Sequence, residues 1–187
     1  MNSLFPDEPR YPTGFQYHEN FISVAEEAEL LAAIKAIELH TFIFQGYEAK
    51  RRVASFGYDW SFTHRRLSKG KAIPSSFYPL MEKVATRLAL HKDDFAELLV
   101  LEYPPGAVIN WHRDAPPFNL IAGITLLSDC IFRLKPYDKT KQKGALVSVP
   151  VHRRSLYVMD GPSRSEWQHS TAPVKQTRYS VTLRTLK

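Results

Sequence analysis

From residue 95 onward the chain breaks into short runs rich in β-branched and aromatic residues: 97–103, 107–112, 120–127, 130–135, 145–149, 155–159 and 178–186. Pro104-Pro105-Gly106, Ser128-Asp129, Lys143-Gly144 and Asp160-Gly161-Pro162 separate them, and no helical periodicity comes between. Strands at this spacing, without crossover helices, predict an antiparallel sandwich or jelly roll.

The first half reads differently. Ser23-Val24-Ala25-Glu26 has the form of a capping box, and Leu30, Leu31, Ile34 and Ile37 follow at helical spacing. This predicts a helix over 23–38. A second helix is expected from about Ser76, with Pro79 in its first turn and Leu80, Val84 and Leu88 on one face. Residues 51–62 read as short extended segments around Gly57. Helices followed by a block of strands give an α+β protein whose helices buttress one sheet. A length of 187 residues and no linker suggest a single domain, 1–187, with helices and lid in 1–94 and the strand block in 95–187. No apolar run approaches the length of a membrane span, and Met1 to Glu8 lack the pattern of a signal peptide. With Cys130 the single cysteine, these features suggest a soluble, cytoplasmic monomer.

Two histidines begin a His-x-Asp triplet. His91 follows a helix within the charged stretch His91-Lys92-Asp93-Asp94 and reads as a solvated loop. His112 instead ends an apolar run, where residues i and i+2 of a strand point the same way, about 7 Å apart. His112 and Asp114, joined by a second histidine from a distant strand, would complete a 2-His-1-carboxylate face for Fe(II) with coordination positions left open. His152 and His169 are the candidates; His152 adjoins Arg153 and Arg154, which repel a cation, so His169 is preferred. The last run alternates strictly, with Arg178, Ser180, Thr182 and Arg184 on one face and Tyr179, Val181 and Leu183 on the other. Two arginines on a concave face suit a dicarboxylate.

At this point the sequence resembles the AlkB family of Fe(II)/2-oxoglutarate-dependent dioxygenases. The matching string is Tyr103-Pro104-Pro105-Gly106, His112-x-Asp114, His169 and Arg178-x5-Arg184, over roughly residues 95–187. The resemblance implies a double-stranded β-helix core, and residues 50–88 resemble the family's nucleotide-recognition lid followed by a helix. It implies Fe(II) held by His112, Asp114 and His169, and 2-oxoglutarate held by Arg178 at its distal carboxylate, Arg184 near the metal-bound one, and Tyr103. It also implies oxidative demethylation of alkylated nucleobases, with succinate, CO2 and formaldehyde as products, as in DNA repair. Two departures stand out. Leu101 takes the place of a frequent Asn, and Asp114-Ala115-Pro116-Pro117-Phe118 lacks the acid that touches the target base in many nucleic-acid demethylases.

The net charge of +6 is unevenly distributed. Residues 50–71 and 133–154 each hold seven Lys/Arg against one Asp, while the first 49 residues are acidic. Arg51, Arg52, Phe56, Tyr58, Trp60, Arg65 and Arg66 interleave cations with aromatics, as binding of a single strand or flipped base requires. Arg52, Phe56 and Tyr58 are the expected substrate contacts, and Lys135, Lys139, Lys141 and Lys143 an expected phosphate rim. The alternatives are the same oxygenase chemistry on a protein or small molecule, and a non-catalytic nucleic-acid-binding β-domain.

Overall fold

The turn-punctuated second half folds as two facing antiparallel sheets in the computed structural model, which describes residues 11–44, 47–138, 140 and 145–187. The strands are β1 (Phe15–His18), β2 (His40–Phe44), β3 (Tyr47–Ser61), β4 (Arg66–Lys69), β5 (Phe95–Tyr103), β6 (Phe118–Leu126), β7 (Cys130–Pro136), β8 (Val147–Val151), β9 (Leu156–Met159), β10 (Trp167–Thr171) and β11 (Arg178–Leu186). The major sheet has the order β1-β9-β6-β11-β5-β3-β2, with β4 pairing β3; the minor sheet is β10-β7-β8. This is the α+β jelly roll, a double-stranded β-helix, that the strand spacing and the resemblance predict.

Helices α1 (Val24–Lys35) and α2 (Tyr78–Leu88) pack on the outer face of the major sheet. Both halves of the capping box form: Ser23 Oγ accepts from the Glu26 N–H, and Glu26 accepts from the Ser23 N–H. Pro79 lies in the first turn of α2, where a missing N–H costs nothing. Strand parity divides the apolar residues into two cores. In β5, Leu98 and Val100 meet Leu30, Ile34, Phe77 and Val84 in the helix-side core. Leu101 and Tyr103 face the other way, into the space between the sheets, with Phe132, Leu134 and Tyr157. Each such fully buried side chain contributes roughly 1.5–3 kcal/mol. Glu27 fastens α1 to the strand block: buried, it accepts from the Leu127 N–H (2.8 Å) and pairs with Arg153 (2.6 Å) and Arg154 (3.5 Å).

Several elements differ from the sequence reading. Residues 51–62 belong almost wholly to one long strand, β3, which changes partner at Gly57: residues 52–57 pair β5 and residues 58–61 pair β4. Gly57 has φ +85°, donates to the Lys71 carbonyl and accepts from Gly70, so the backbone bulges where the partners switch. Residues 107–112 form no ladder, only one isolated bridge between His112 and His169. Strands β1 and β2 and the short helix α3 (Gly161–Ser165) carry no strong sequence pattern; β1 is held by pairing to β9, and α3 by its Asp160 cap. Among the described residues no helix is long and apolar enough to cross a membrane.

Candidate active site

Gly106, at φ +80°, turns the chain out of β5 after Tyr103-Pro104-Pro105, and residues 106–112 then run antiparallel to residues 169–174. The His112 N–H donates to the His169 carbonyl (3.0 Å) and the His169 N–H donates back (2.9 Å). That reciprocal pair brings the two imidazoles to 4.2 Å between ring centroids, and one ligand atom from each of His112, Asp114 and His169 falls within 4.8 Å of the others. His112 Nδ1 lies 2.8 Å from the Asn110 carbonyl, a bond that only an Nδ1–H can make. That bond leaves Nε2 as the ring nitrogen free to face a metal.

His169 is buried and stacks on Phe132 at 5.2 Å. Burial, with His112 beside it, pushes its pKa down to about 3, so the ring is neutral. Burial alone raises the Asp114 pKa, but Arg184 and then His169 reverse this and hold the carboxyl below its usual range. Asp114 Oδ1 accepts from Arg184 Nη2, whereas Oδ2, 3.6 Å from His169 Nε2, is buried and has no hydrogen-bond partner among the described residues. An orphaned carboxylate oxygen facing two imidazoles is what a divalent cation would satisfy, and the N,N,O set is that of non-haem Fe(II).

Arg178 lies almost fully buried, in register with Tyr103 across β11 and β5. Its guanidinium donates to Thr125 Oγ1 at 2.8 Å and lies 5.0 Å from the Tyr103 ring centroid. Among the described residues no carboxylate pairs with it, and its Nε has no partner. A buried, unpaired guanidinium is costly unless an anion enters. Arg184 lies beside the cluster, where its fork bridges Asp114 and Glu97, the latter at 2.5 Å.

The metal cluster opens on a cavity of about 680 Å³ lined by Phe42, Arg51, Asp59, Trp60, Phe62 and Arg184 among others. Of the expected substrate contacts, Phe56 borders this cavity and the other two do not. Arg52 pairs with Glu102, Phe56 lies in the helix-side core, and Tyr58 lines a second groove with Lys69, Lys71 and Tyr78. Parity is the reason: even residues of β3 before Gly57 face the helices and odd ones face the cavity. Arg51, whose guanidinium covers the Phe42 ring at 4.0 Å, therefore faces the cavity, as Lys71, Arg113 and Arg184 also do. Leu101 lines the same space. His152 is half exposed and bonded to Asp129, and His91 is exposed and caps a 3-10 turn, so both lie outside the cluster. Lys139, Lys141 and Lys143 lie outside the described residues.

Two residues with a part in the site escaped the sequence reading. Glu97 is an acid within an apolar strand and six residues before Tyr103, hence on the same face; its register opposite Arg184 could not be read from sequence. Arg164 of α3 donates to the carbonyls of Ala115 (2.8 Å) and Phe118 (2.9 Å), clamping the turn that follows Asp114.

A family model described as the 2OG-Fe(II) oxygenase superfamily matches residues 14–184. Over 172 residues the chain is 30% identical to the tRNA (carboxymethyluridine(34)-5-O)-methyltransferase ALKBH8 of Mus musculus, a match covering 88% of this chain and 25% of that protein. Over 195 residues it is 28% identical to the alkylated DNA repair protein ALKBH8 homolog of Arabidopsis thaliana, covering 89% and 53%. The chain thus spans only a quarter to about half the length of these relatives. Among solved structures, OsALKBH1 superposes with a TM-score of 0.72 at 14% identity, covering 95% of this chain and 99% of that one. A Pseudomonas putida prolyl-4-hydroxylase gives 0.64 at 15% identity, with 93% of each chain covered. Both structural likenesses concern the fold.

Proposed function

The chain belongs to the 2OG-Fe(II) oxygenase superfamily, and from that premise we propose that it oxidatively demethylates alkylated nucleobases in single-stranded or base-flipped DNA or RNA. The observation that carries the reading is the cluster of His112, Asp114 and His169 at the floor of a cavity walled by Phe42, Trp60, Phe62 and Arg51. Aromatic faces suit an extruded base and the cation suits its phosphate. The printed names of the relatives, a tRNA methyltransferase and an alkylated DNA repair protein, support a nucleic-acid substrate.

Fe(II) and 2-oxoglutarate supply the oxidation of an N-methyl C–H by O2, with succinate and CO2 as co-products and formaldehyde leaving as the base regains its N–H. In this proposal His112, Asp114 and His169 hold the metal. Arg184 keeps Asp114 ionised and occupies Oδ1, which leaves Oδ2 for the cation. Arg178 and Tyr103 receive the distal carboxylate of 2-oxoglutarate. Phe118 and Ala115, both buried beside the cluster, keep water from the reacting methyl.

The test is succinate formation with methylated oligonucleotides, preceded by anaerobic titration of Fe(II) and 2-oxoglutarate for a visible charge-transfer band. Turnover stimulated by a methylated oligonucleotide and abolished in His112→Ala and Asp114→Ala is the expected result. The absence of an acid in the run Ala115-Pro116-Pro117-Phe118 favours a second reading, a protein or small-molecule substrate. A charge-transfer band with no stimulation by any alkylated oligonucleotide decides for it.

A further inference from the structure

The helices cover the major sheet and leave the outer face of the minor sheet to solvent, with Ile131, Tyr137 and Leu146 each at least 41% exposed. The antiparallel registers align side chains across this face. His112 opposite His169 sets Trp111 opposite Ser170 and Arg113 opposite Gln168; β10 then pairs Ser170 with Arg133 and Gln168 with Lys135. Two rows result, Trp111-Ser170-Arg133 and Arg113-Gln168-Lys135. Lys135 Nζ lies 4.1 Å and Arg133 Cζ 5.3 Å from the Trp111 ring centroid, while Arg113 Cζ lies 3.7 Å over Tyr137.

These cations differ from six others in the molecule. Arg52, Lys83, Lys92, Arg153, Arg154 and Arg184 each pair with a carboxylate. Arg113 and Arg133 instead donate to the carbonyls of Ser165 and Thr171, and among the described residues neither they nor Lys135 form an ion pair. Asp138 and Glu166 stand at one end of the face, where Asp138 accepts from Thr140. The result is three unneutralised positive charges interleaved with two aromatic rings, on a ladder whose neighbouring inward residue is His112.

We infer that this face is a platform for single-stranded nucleic acid: bases stack on Trp111 and Tyr137, phosphates lie against Arg113, Arg133 and Lys135, and the flanking strand of the substrate leads to the cavity mouth. The inference rests on the nucleic-acid reading above and adds to it where the strand runs. Unpaired cations alone would attract any polyanion; the interleaved rings select one that carries bases.

The test is fluorescence polarisation of a labelled 12-mer of thymidylate on the full chain at several salt concentrations. Trp111→Ala should weaken binding about 5- to 150-fold. Lys135→Glu should weaken it and reduce the slope of log Kd against log salt by at least about 0.7. Lys35→Glu, the same charge change on exposed α1, should leave affinity within about twofold. Circular dichroism establishes that each variant is folded, and Trp111→Leu replaces Trp111→Ala if the latter is not. If both platform variants bind as wild type does, the platform is overturned while the nucleic-acid reading stands. An effect of Lys135→Glu without one at Trp111 also overturns it, leaving a mere polyanion contact. If the wild type binds no oligonucleotide, both fall.

Discussion

Replacing Arg178 by Met should leave the protein at least as stable and at the same time sharply weaken its binding of co-substrate. The guanidinium is 2% exposed, donates to Thr125 Oγ1 and meets no carboxylate among the described residues. Exchanging buried charged groups for apolar side chains of similar volume is often neutral or stabilising by about 1–4 kcal/mol. Loss of a partner for Thr125 costs about 1 kcal/mol of that, so a net gain of roughly 0–3 kcal/mol is expected without ligand. The carboxylate of 2-oxoglutarate would make two charge-assisted hydrogen bonds to the fork, at about 1.5–3 kcal/mol each. Their loss weakens binding about 10²- to 10⁴-fold. At a ligand concentration a hundred times its Kd, the wild type gains about 2.7 kcal/mol, which for a chain of this length is a rise in Tm of about 5–11 °C. The variant at that concentration should rise by less than about 2 °C. Differential scanning fluorimetry with and without 2-oxoglutarate, divalent metal present throughout, reads both numbers. A variant that melts lower than wild type without ligand yet keeps the full ligand shift would refute the reasoning, since Arg178 would then be structural.

Two further perturbations probe the scaffold. A Cβ on Gly57 would collide with the Ala96 carbonyl at a φ of +85°, so Gly57→Ala should cost about 2 kcal/mol or more in urea unfolding and loosen β4 from β3. Glu26 is held at a pKa of about 2 by Lys83 first and by the Ser23 N–H. A depressed carboxylate stabilises the fold above its unfolded pKa, near 4.5, and loses that contribution as pH falls from 4.5 to about 2. Its side chain is 38% exposed, and solvent screening reduces the contribution to about 1 kcal/mol or less. Glu26→Gln should therefore lower the urea midpoint slightly at pH 7 and leave it level with wild type at pH 2.

Local chemistry was the legible part of this molecule. The capping box of α1, the Pro79 turn and the alternation of β11 each depend on residues close in sequence, and each appears in the structure. Pairing was not legible. Whether Arg51 or Arg52 faces the cavity depends on how β3 registers with β5, and an alternation read straight through Gly57 runs across the bulge. The closeness of His112 to His169 rests on a single bridge between segments 57 residues apart, which no periodicity announces. Glu97 carried no motif, because its partner Arg184 lies 87 residues away and only the β5–β11 register joins them.

The parity of β5 and β11 has a consequence for how this protein can be changed by mutation. Along one backbone, Leu98, Val100, Val181 and Leu183 point to the helices, while Glu97, Tyr103, Arg178 and Arg184 point to the chemistry. Substitutions at the first set should act on melting temperature with little effect on substrate choice, whereas those at the second set should act on ligand binding and chemistry, with a change of stability as well where a buried charge is removed, as at Arg178. The sheet works as a partition between a scaffold compartment and a chemical one. An engineer, or natural selection, can stabilise the scaffold from one side while retuning selectivity from the other.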